Sequence, residues 1–195
     1  MESMHIVRYR DGERAAYGIL EDGVVRQASG DPFSGLTPGA EVGPLEEVTL
    51  LPPVEPSKIV AIGLNYLDHI TQDAHGFEQP ENPIIFLKPP SSLLAHGGNI
   101  VLPRGTERVE SEAELAVVIG RRARYVPAER AYDYILGFTC SNDVSARDYQ
   151  FKDGQWVRAK GFDTFTPLGP AIATGLRADD LAIACRLNGE VRQQS

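Results

Sequence analysis

The apolar residues of this 195-residue chain come in short, strand-length runs. They are Lys58 to Gly63, Pro83 to Leu87, Leu115 to Gly120, Tyr134 to Cys140 and Leu168 to Thr174, punctuated by Gly and Pro. Only Asn65 to Ala74 and Val144 to Phe151 read as helical, and neither is long enough to build a bundle. The pattern predicts a mainly β fold with short helices. The runs are too irregularly spaced for repeats, there is no low-complexity tract, and neither GxGxxG nor GxxxxGK[ST] occurs.

The first residues carry short apolar stretches around Asp11-Gly12 and Asp22-Gly23, the dipeptide that tight hairpins favour. Leu51-Pro-Pro-Val-Glu-Pro56 follows, and three prolines in so short a stretch cannot continue a ladder. The expected organisation is a small N-terminal β domain over 1–51, a Pro-rich linker over 52–57 and a second domain over 58–195. Charge divides along the same line. Residues 1–57 hold 10 acids and 4 bases, whereas 58–195 hold 17 and 15, making up the net charge of −8.

An acidic surface repels phosphate backbones and anionic lipid heads, so nucleic acid and membrane are not the expected partners. The longest apolar runs, Ile59 to Leu64 and Leu115 to Ile119, fall far short of the roughly 20 residues that span a bilayer. Met1 to Arg10 has no uninterrupted apolar core for a secretory signal, which points to a cytoplasmic location. Cys140 and Cys185 each sit in an apolar context without a CxxC or a Cys/His cluster, and they read as reduced core residues.

Chemistry enters at Glu112-Ala-Glu114, which leads into Leu115 to Ile119. The period of two on a strand puts both carboxylates on one face. Against a buried strand they would repel unless one is protonated or a cation sits between them. The pair alone fits a solvated strand end better, so further acids must converge to make it a site. Asp143, at the junction between an apolar strand and a helical stretch, is the third candidate, although standing alone it reads first as the cap of that helix. Three carboxylates make an oxygen-rich set that suits Mg²⁺ first, and Mn²⁺ or Ca²⁺ as well, rather than zinc.

With Val144 to Gln150 helical, Asp143, Arg147 and Gln150 would share one face. A guanidinium there suits a substrate carboxylate. Lys160 is one of four lysines against fifteen arginines and lies in a Gly-containing turn. His69, at the end of a strand-like run, can act as a general base near neutral pH, and Asp73, one helical turn on, could orient it.

Taken in order, Gly63-Leu-Asn-Tyr-Leu-Asp-His69, Phe86-Leu-Lys-Pro-Pro-Ser-Ser92, Glu112-Ala-Glu-Leu-Ala-Val-Val-Ile-Gly120, Asn142-Asp-Val-Ser-Ala-Arg-Asp-Tyr-Gln150 and Lys160-Gly-Phe-Asp-Thr-Phe165 resemble the fumarylacetoacetate hydrolase superfamily. The resemblance covers about residues 58–195, and the N-terminal unit resembles the accessory domain of many bacterial members. It implies a mixed β-sandwich roll, with Glu112, Glu114 and Asp143 as divalent-metal ligands. It further implies that Lys160 serves both catalysis and substrate binding, Arg147 and Gln150 lie on the substrate side, and His69 activates water or moves a proton.

The implied substrates are small 2-oxo acids. A metal polarising the 2-oxo carbonyl would stabilise an enolate, so one site could hydrolyse the C–C bond of acylpyruvate or fumarylacetoacetate-type acids. It could also decarboxylate oxaloacetate, or isomerise 2-hydroxymuconate-type dienoates in aromatic catabolism. A further alternative is a member that binds metal and 2-oxo acid without turnover. Three residues after His69, where hydrolysing members carry a glutamate, this chain has Gln72, which shifts weight toward isomerisation. The resemblance also leads one to expect a homodimer, and a Thr-Gly-Thr-Pro-like segment after Ser195 to complete the site.

Overall fold

The computed structural model describes residues 3–66 and 80–195, so the stretch expected to carry His69, Gln72 and Asp73 lies outside the described residues. The chain opens with β1 (His5–Asp11), β2 (Arg14–Glu21), β3 (Val24–Asp31), β4 (Gly35–Pro44) and β5 (Leu50–Leu51). The link from β2 to β3 is Asp22-Gly23 with both φ angles positive, at 49° and 81°. A two-residue hairpin loop needs that geometry to match strand twist, and Asp-Gly tolerates it best. Between β3 and β4 the Asp31 carboxylate accepts the Phe33 amide at 2.8 Å, a side chain standing in for a turn carbonyl.

The remaining strands are β6 (Ile59–Gly63), β7 (Ile84–Lys88), β8 (Leu93–Leu94), β9 (Val109–Glu110), β10 (Ala113–Ile119), β11 (Ile135–Asn142), β12 (Ser145–Ala146), β13 (Thr166–Ala173), β14 (Ala184–Leu187) and β15 (Glu190–Gln194). Two short helices, α1 (Arg147–Asp153) and α2 (Val157–Lys160), lie between β12 and β13. The fold is mainly β with few short helices, as the short apolar runs require. The helix at Arg147 starts three residues later than the sequence suggests. Val144 donates its amide to Phe165 O, and Ser145 and Ala146 pair with Glu110 and Val109, so a ladder claims these residues first. Asp143 is therefore neither the cap of that helix nor on its face; Ala146 is the N-cap.

One sheet runs in the order β10-β11-β13-β1-β2-β3-β4, every neighbouring pair antiparallel. The N-terminal strands are thus hydrogen-bonded into the later ones. His5 and Ile6 of β1 pair with Ala173 and Ile172, while Arg8 and Tyr9 on the same edge pair with Leu51 and Leu50. Both faces of β1 are covered. Ile6 packs with Val118, Leu136 and Ile172, and Val7 and Tyr9 pack with Val25 and Leu50. A strand buried on both faces loses the apolar/polar alternation, and Ile6 through Tyr9 form one buried run.

A third cluster of Val144, Ala146 and Phe165 lies under the β12–α1 segment. The cysteines depart from expectation: Cys140 is exposed and Cys185 half-buried, both as free thiols. Cys140 follows the buried Leu136–Thr139 stretch of β11, and its apolar sequence neighbours are themselves what is buried there. No helix among the described residues is long and apolar enough to cross a membrane.

Candidate functional site

The antiparallel pairing of β10 with β11 continues past its formal end. Asp143 donates its amide to Glu112 O at 2.8 Å, the Asn142 side chain accepts the Glu112 amide, and Arg147 N reaches Arg108 O. Residues 108–114 therefore run as one extended path beside 142–147. Alternation along it turns Glu110, Glu112 and Glu114 to the same side. Glu112, Glu114 and Asp143 each bring a carboxylate oxygen into a group whose members all lie within 4.8 Å of one another.

Two buried lysines stand against these acids. Lys160, at the end of α2, donates to Glu112 Oε2 at 2.8 Å and to Asp143 Oδ2. Lys88, on β7, donates to Asp143 Oδ1 and to Phe165 O at 2.9 Å. Both lysines and Asp143 are only 3% exposed. Arg147 reaches Glu110 Oε2 through Nε at 2.7 Å, Glu112 Oε1 through Nη2 at 2.6 Å and Gln150 Oε1 through Nη1 at 2.7 Å. Arg147 and Gln150 do meet at the site, but the guanidinium pairs with Glu110 and Glu112 rather than with Asp143.

Charge is distributed unevenly over this cluster. Burial works against the Lys160 ammonium, yet Asp143 and Glu112 hold it above the usual lysine range. Glu112 likewise pays for burial and is nevertheless held below the usual carboxylate range by Lys160 and Arg147. Burial lowers Lys88, with Asp143 opposing. Glu114 goes the other way: burial first, then the charges of Asp143 and Glu112, push it up to about 7. Among the described residues no hydrogen bond or ion pair reaches its carboxylate.

That imbalance is the test of whether a metal fits. A half-buried carboxylate turned toward two others and, among the described residues, without a cationic partner of its own is costly to ionise. A divalent cation shared by Glu112, Glu114 and Asp143 would reverse the cost. All three donors are hard carboxylate oxygens, which suits Mg²⁺, Mn²⁺ or Ca²⁺.

The acids open into a cavity of about 220 Å³. Its lining combines the apolar Ile62, Gly63, Leu64 and Trp156 with the polar Arg147, Gln150 and Lys160, and Lys160 Nζ lies 5.9 Å from the Trp156 centroid. The Trp156 ring meets Phe86 edge-on at 5.5 Å between centroids, and Lys160 Nζ lies 5.2 Å from the Phe86 centroid. Tyr66 accepts the Leu115 amide on its hydroxyl at 2.9 Å, tying the end of β6 to β10.

Sequence reasoning missed Lys88 and Glu110 among the clustered charges, and Trp156 and Arg192 on the cavity lining. Glu110 was signalled by period two, since it precedes Glu112 as Glu112 precedes Glu114. Lys88 stands inside one of the five motifs, but no local pattern shows that its ammonium meets Asp143, 55 positions away.

Comparison with known proteins identifies the family. Residues 58–195 match the family described as fumarylacetoacetate (FAA) hydrolase C-terminal, and residues 4–53 match one described as Rv2993c-like, N-terminal. An uncharacterized protein of Archaeoglobus fulgidus is 54% identical over 157 residues, which is 80% of this chain and 62% of that protein. The rat mitochondrial oxaloacetate tautomerase Fahd2a is 45% identical over 157 residues, 78% of this chain and 50% of that one. The chain thus spans half to three fifths of the length of these curated relatives. The crystal structure of a 5-carboxymethyl-2-hydroxymuconate delta-isomerase from Mycobacterium smegmatis superposes with a TM-score of 0.86 at 43% identity, covering 98% of this chain and 75% of that one. A family match over residues 58–195, carrying the same acids and lysines that converge in the fold, makes this chain a member of the fumarylacetoacetate hydrolase superfamily.

Proposed function

We propose that this chain carries the active site of a divalent-metal-dependent enzyme that interconverts tautomers or double-bond isomers of small 2-oxo acids. The observation that supports it above all is the convergence of Glu112, Glu114 and Asp143 beside the buried Lys160 ammonium. The names of the relatives support it too, one being an oxaloacetate tautomerase and another a hydroxymuconate delta-isomerase.

Glu112, Glu114 and Asp143 would hold the ion, Mg²⁺ in the first instance. Bound there, it would supply Lewis acidity to a 2-oxo carbonyl. The chain's own residues do the rest. Lys160 presents an ammonium that can donate to an oxygen gaining negative charge, held in place by its two carboxylate partners. Arg147 and Gln150 add polar groups to the cavity lining. Trp156 and Ile62 add apolar surface to the same lining. His69 is the proposed proton carrier, oriented by Asp73, taking a proton from the carbon next to the carbonyl and returning it to the enol oxygen or to a carbon further along. No water is consumed in either outcome. Gln72, which cannot take a proton, favours this over C–C hydrolysis.

The test follows the loss of enol absorbance of oxaloacetate with Mg²⁺, with EDTA, and with His69→Ala. Acceleration that depends on both metal and His69 is the expected result. Release of acetate and pyruvate from acetylpyruvate, with no effect on the oxaloacetate enol, would replace isomerisation by hydrolysis. Neither activity, with Mg²⁺ still bound, would leave a binding protein.

A further inference from the structure

The cationic residues that line the cavity are not equally available to a ligand. Lys160 is engaged by Glu112 and Asp143, and Arg147 has each of its three nitrogens on a side chain of the protein itself. Both are buried. The third, Arg192 on β15, is different: its side chain is 57% exposed and, among the described residues, its one partner is Glu190, two residues away, at 2.8 Å. That partner is 72% exposed, and a surface pair of this kind is weak because water screens both charges. Exchanging it for a ligand carboxylate costs little.

Arg192 is also held at a defined place. The neighbouring Gln193 accepts the Ala113 amide on Oε1 at 2.7 Å and donates Nε2 to Ala113 O at 2.9 Å, so its carboxamide pairs with the backbone as a strand would. Ala113 lies between Glu112 and Glu114. Arg192 is therefore one residue step, about 3.8 Å between Cα atoms, from Gln193, whose carboxamide is fixed to the backbone of the residue between two of the three clustered acids. A guanidinium offers a planar fork that matches a carboxylate with two parallel hydrogen bonds.

We infer that Arg192 binds the second carboxylate of the substrate, so that the site prefers 2-oxo dicarboxylic acids to 2-oxo monocarboxylic acids of similar size. This rests on the reading of the cavity as a 2-oxo-acid site. The 2-oxo acid end lies at Glu112, Glu114, Asp143 and Lys160, and the distal carboxylate extends toward β15, where solvent still reaches the arginine.

The test compares wild type with Arg192→Gln and Arg192→Lys, all with Mg²⁺, by kcat/KM for oxaloacetate against acetylpyruvate. Calorimetric affinity for 2-oxoglutarate against 2-oxobutyrate serves as a readout that needs no turnover. In Arg192→Gln the dicarboxylate-to-monocarboxylate ratio should fall at least tenfold in both measurements, with Arg192→Lys restoring part of it. A ratio within twofold of wild type overturns the assignment, as does a parallel loss for both classes of acid. Should wild type turn over no 2-oxo acid but still bind 2-oxoglutarate more tightly than 2-oxobutyrate through Arg192, the enzymatic reading fails and this one stands. Equal binding of the two by wild type sinks it outright.

Discussion

The Trp156 ring occupies the space that a side chain at Gly63 would need. A Cβ built on Gly63 would lie 2.1 Å from ring carbon Cζ3, far inside van der Waals contact. The last residue of β6 is thereby the floor on which the apolar part of the cavity lining rests, and it leads directly into Leu64, Asn65 and Tyr66. Because Trp156 also meets Phe86, and Lys160 packs over Phe86, displacing the ring would disturb the lysine that faces the acids.

Gly63→Ala should therefore force Trp156 out of place. Overpacking of this kind costs about 1–3 kcal/mol, measurable by urea unfolding. The Trp156 fluorescence should shift toward the solvent-exposed range, and Trp156 is the chain's single tryptophan, so the signal is unambiguous. Unchanged fluorescence and stability would contradict the packing.

Glu114 sets a pH dependence whose sign is opposite to that of most carboxylates. Its pKa is raised in the fold from 4.5 to about 7, so the native state holds the proton more tightly than the unfolded chain. The stability this contributes to metal-free protein is fully present below about pH 4.5 and is lost as pH rises to about 7, on the order of 3 kcal/mol from this group. Glu114→Gln should flatten that decline. The same change should weaken Mg²⁺ binding by at least ~10-fold, since loss of even an outer-shell partner costs that much. Thermal melts across pH 5–8 and a calorimetric titration read the two effects separately.

Lys88→Met should be among the more damaging single changes in the chain. It removes one of the two donors to Phe165 O, the Val144 amide being the other, and takes one of two cations from a carboxylate that is 3% exposed. Removing one partner of a buried ion pair costs about 3–5 kcal/mol. Equilibrium unfolding in urea checks the figure, and a loss below 1 kcal/mol would mean that Lys160 alone satisfies Asp143.

Ile6→Ala probes how the N-terminal strands are joined to the rest. Ile6 is 1% exposed and shares a cluster with Val118, Leu136 and Ile172, residues far along the chain. The truncation should cost about 2–5 kcal/mol in a single cooperative transition. Two separate transitions, with only one displaced, would show the N-terminal strands to be an independent unit.

Much of the site was legible because its logic is local. Glu112 and Glu114 are two apart on a strand, and period two alone puts them on one face; Asp143 sits where an apolar strand ends. The β class followed in the same way from short apolar runs, and the tight β2–β3 turn from Asp22-Gly23. The helix boundary at Arg147 was not legible, because Val144, Ser145 and Ala146 are claimed by Phe165, Glu110 and Val109, partners that propensity does not see. The burial of Cys140 was misread for a related reason, since an apolar neighbourhood in sequence does not fix which face of β11 is covered.

By itself, then, the sequence determined the period, the punctuation and the residue types, and with them the class of fold and an oxygen-rich group of acids. Only the tertiary structure decided which cations those acids meet. Lys88 reaches Asp143 across 55 positions and Lys160 reaches Glu112 across 48, and Arg147 is turned onto Glu110 and Glu112 while Arg192 stays open to solvent. Pairings of that kind depend on sheet order and on which side chains lose their water, quantities that arise when strands assemble and that no run of neighbouring residues contains.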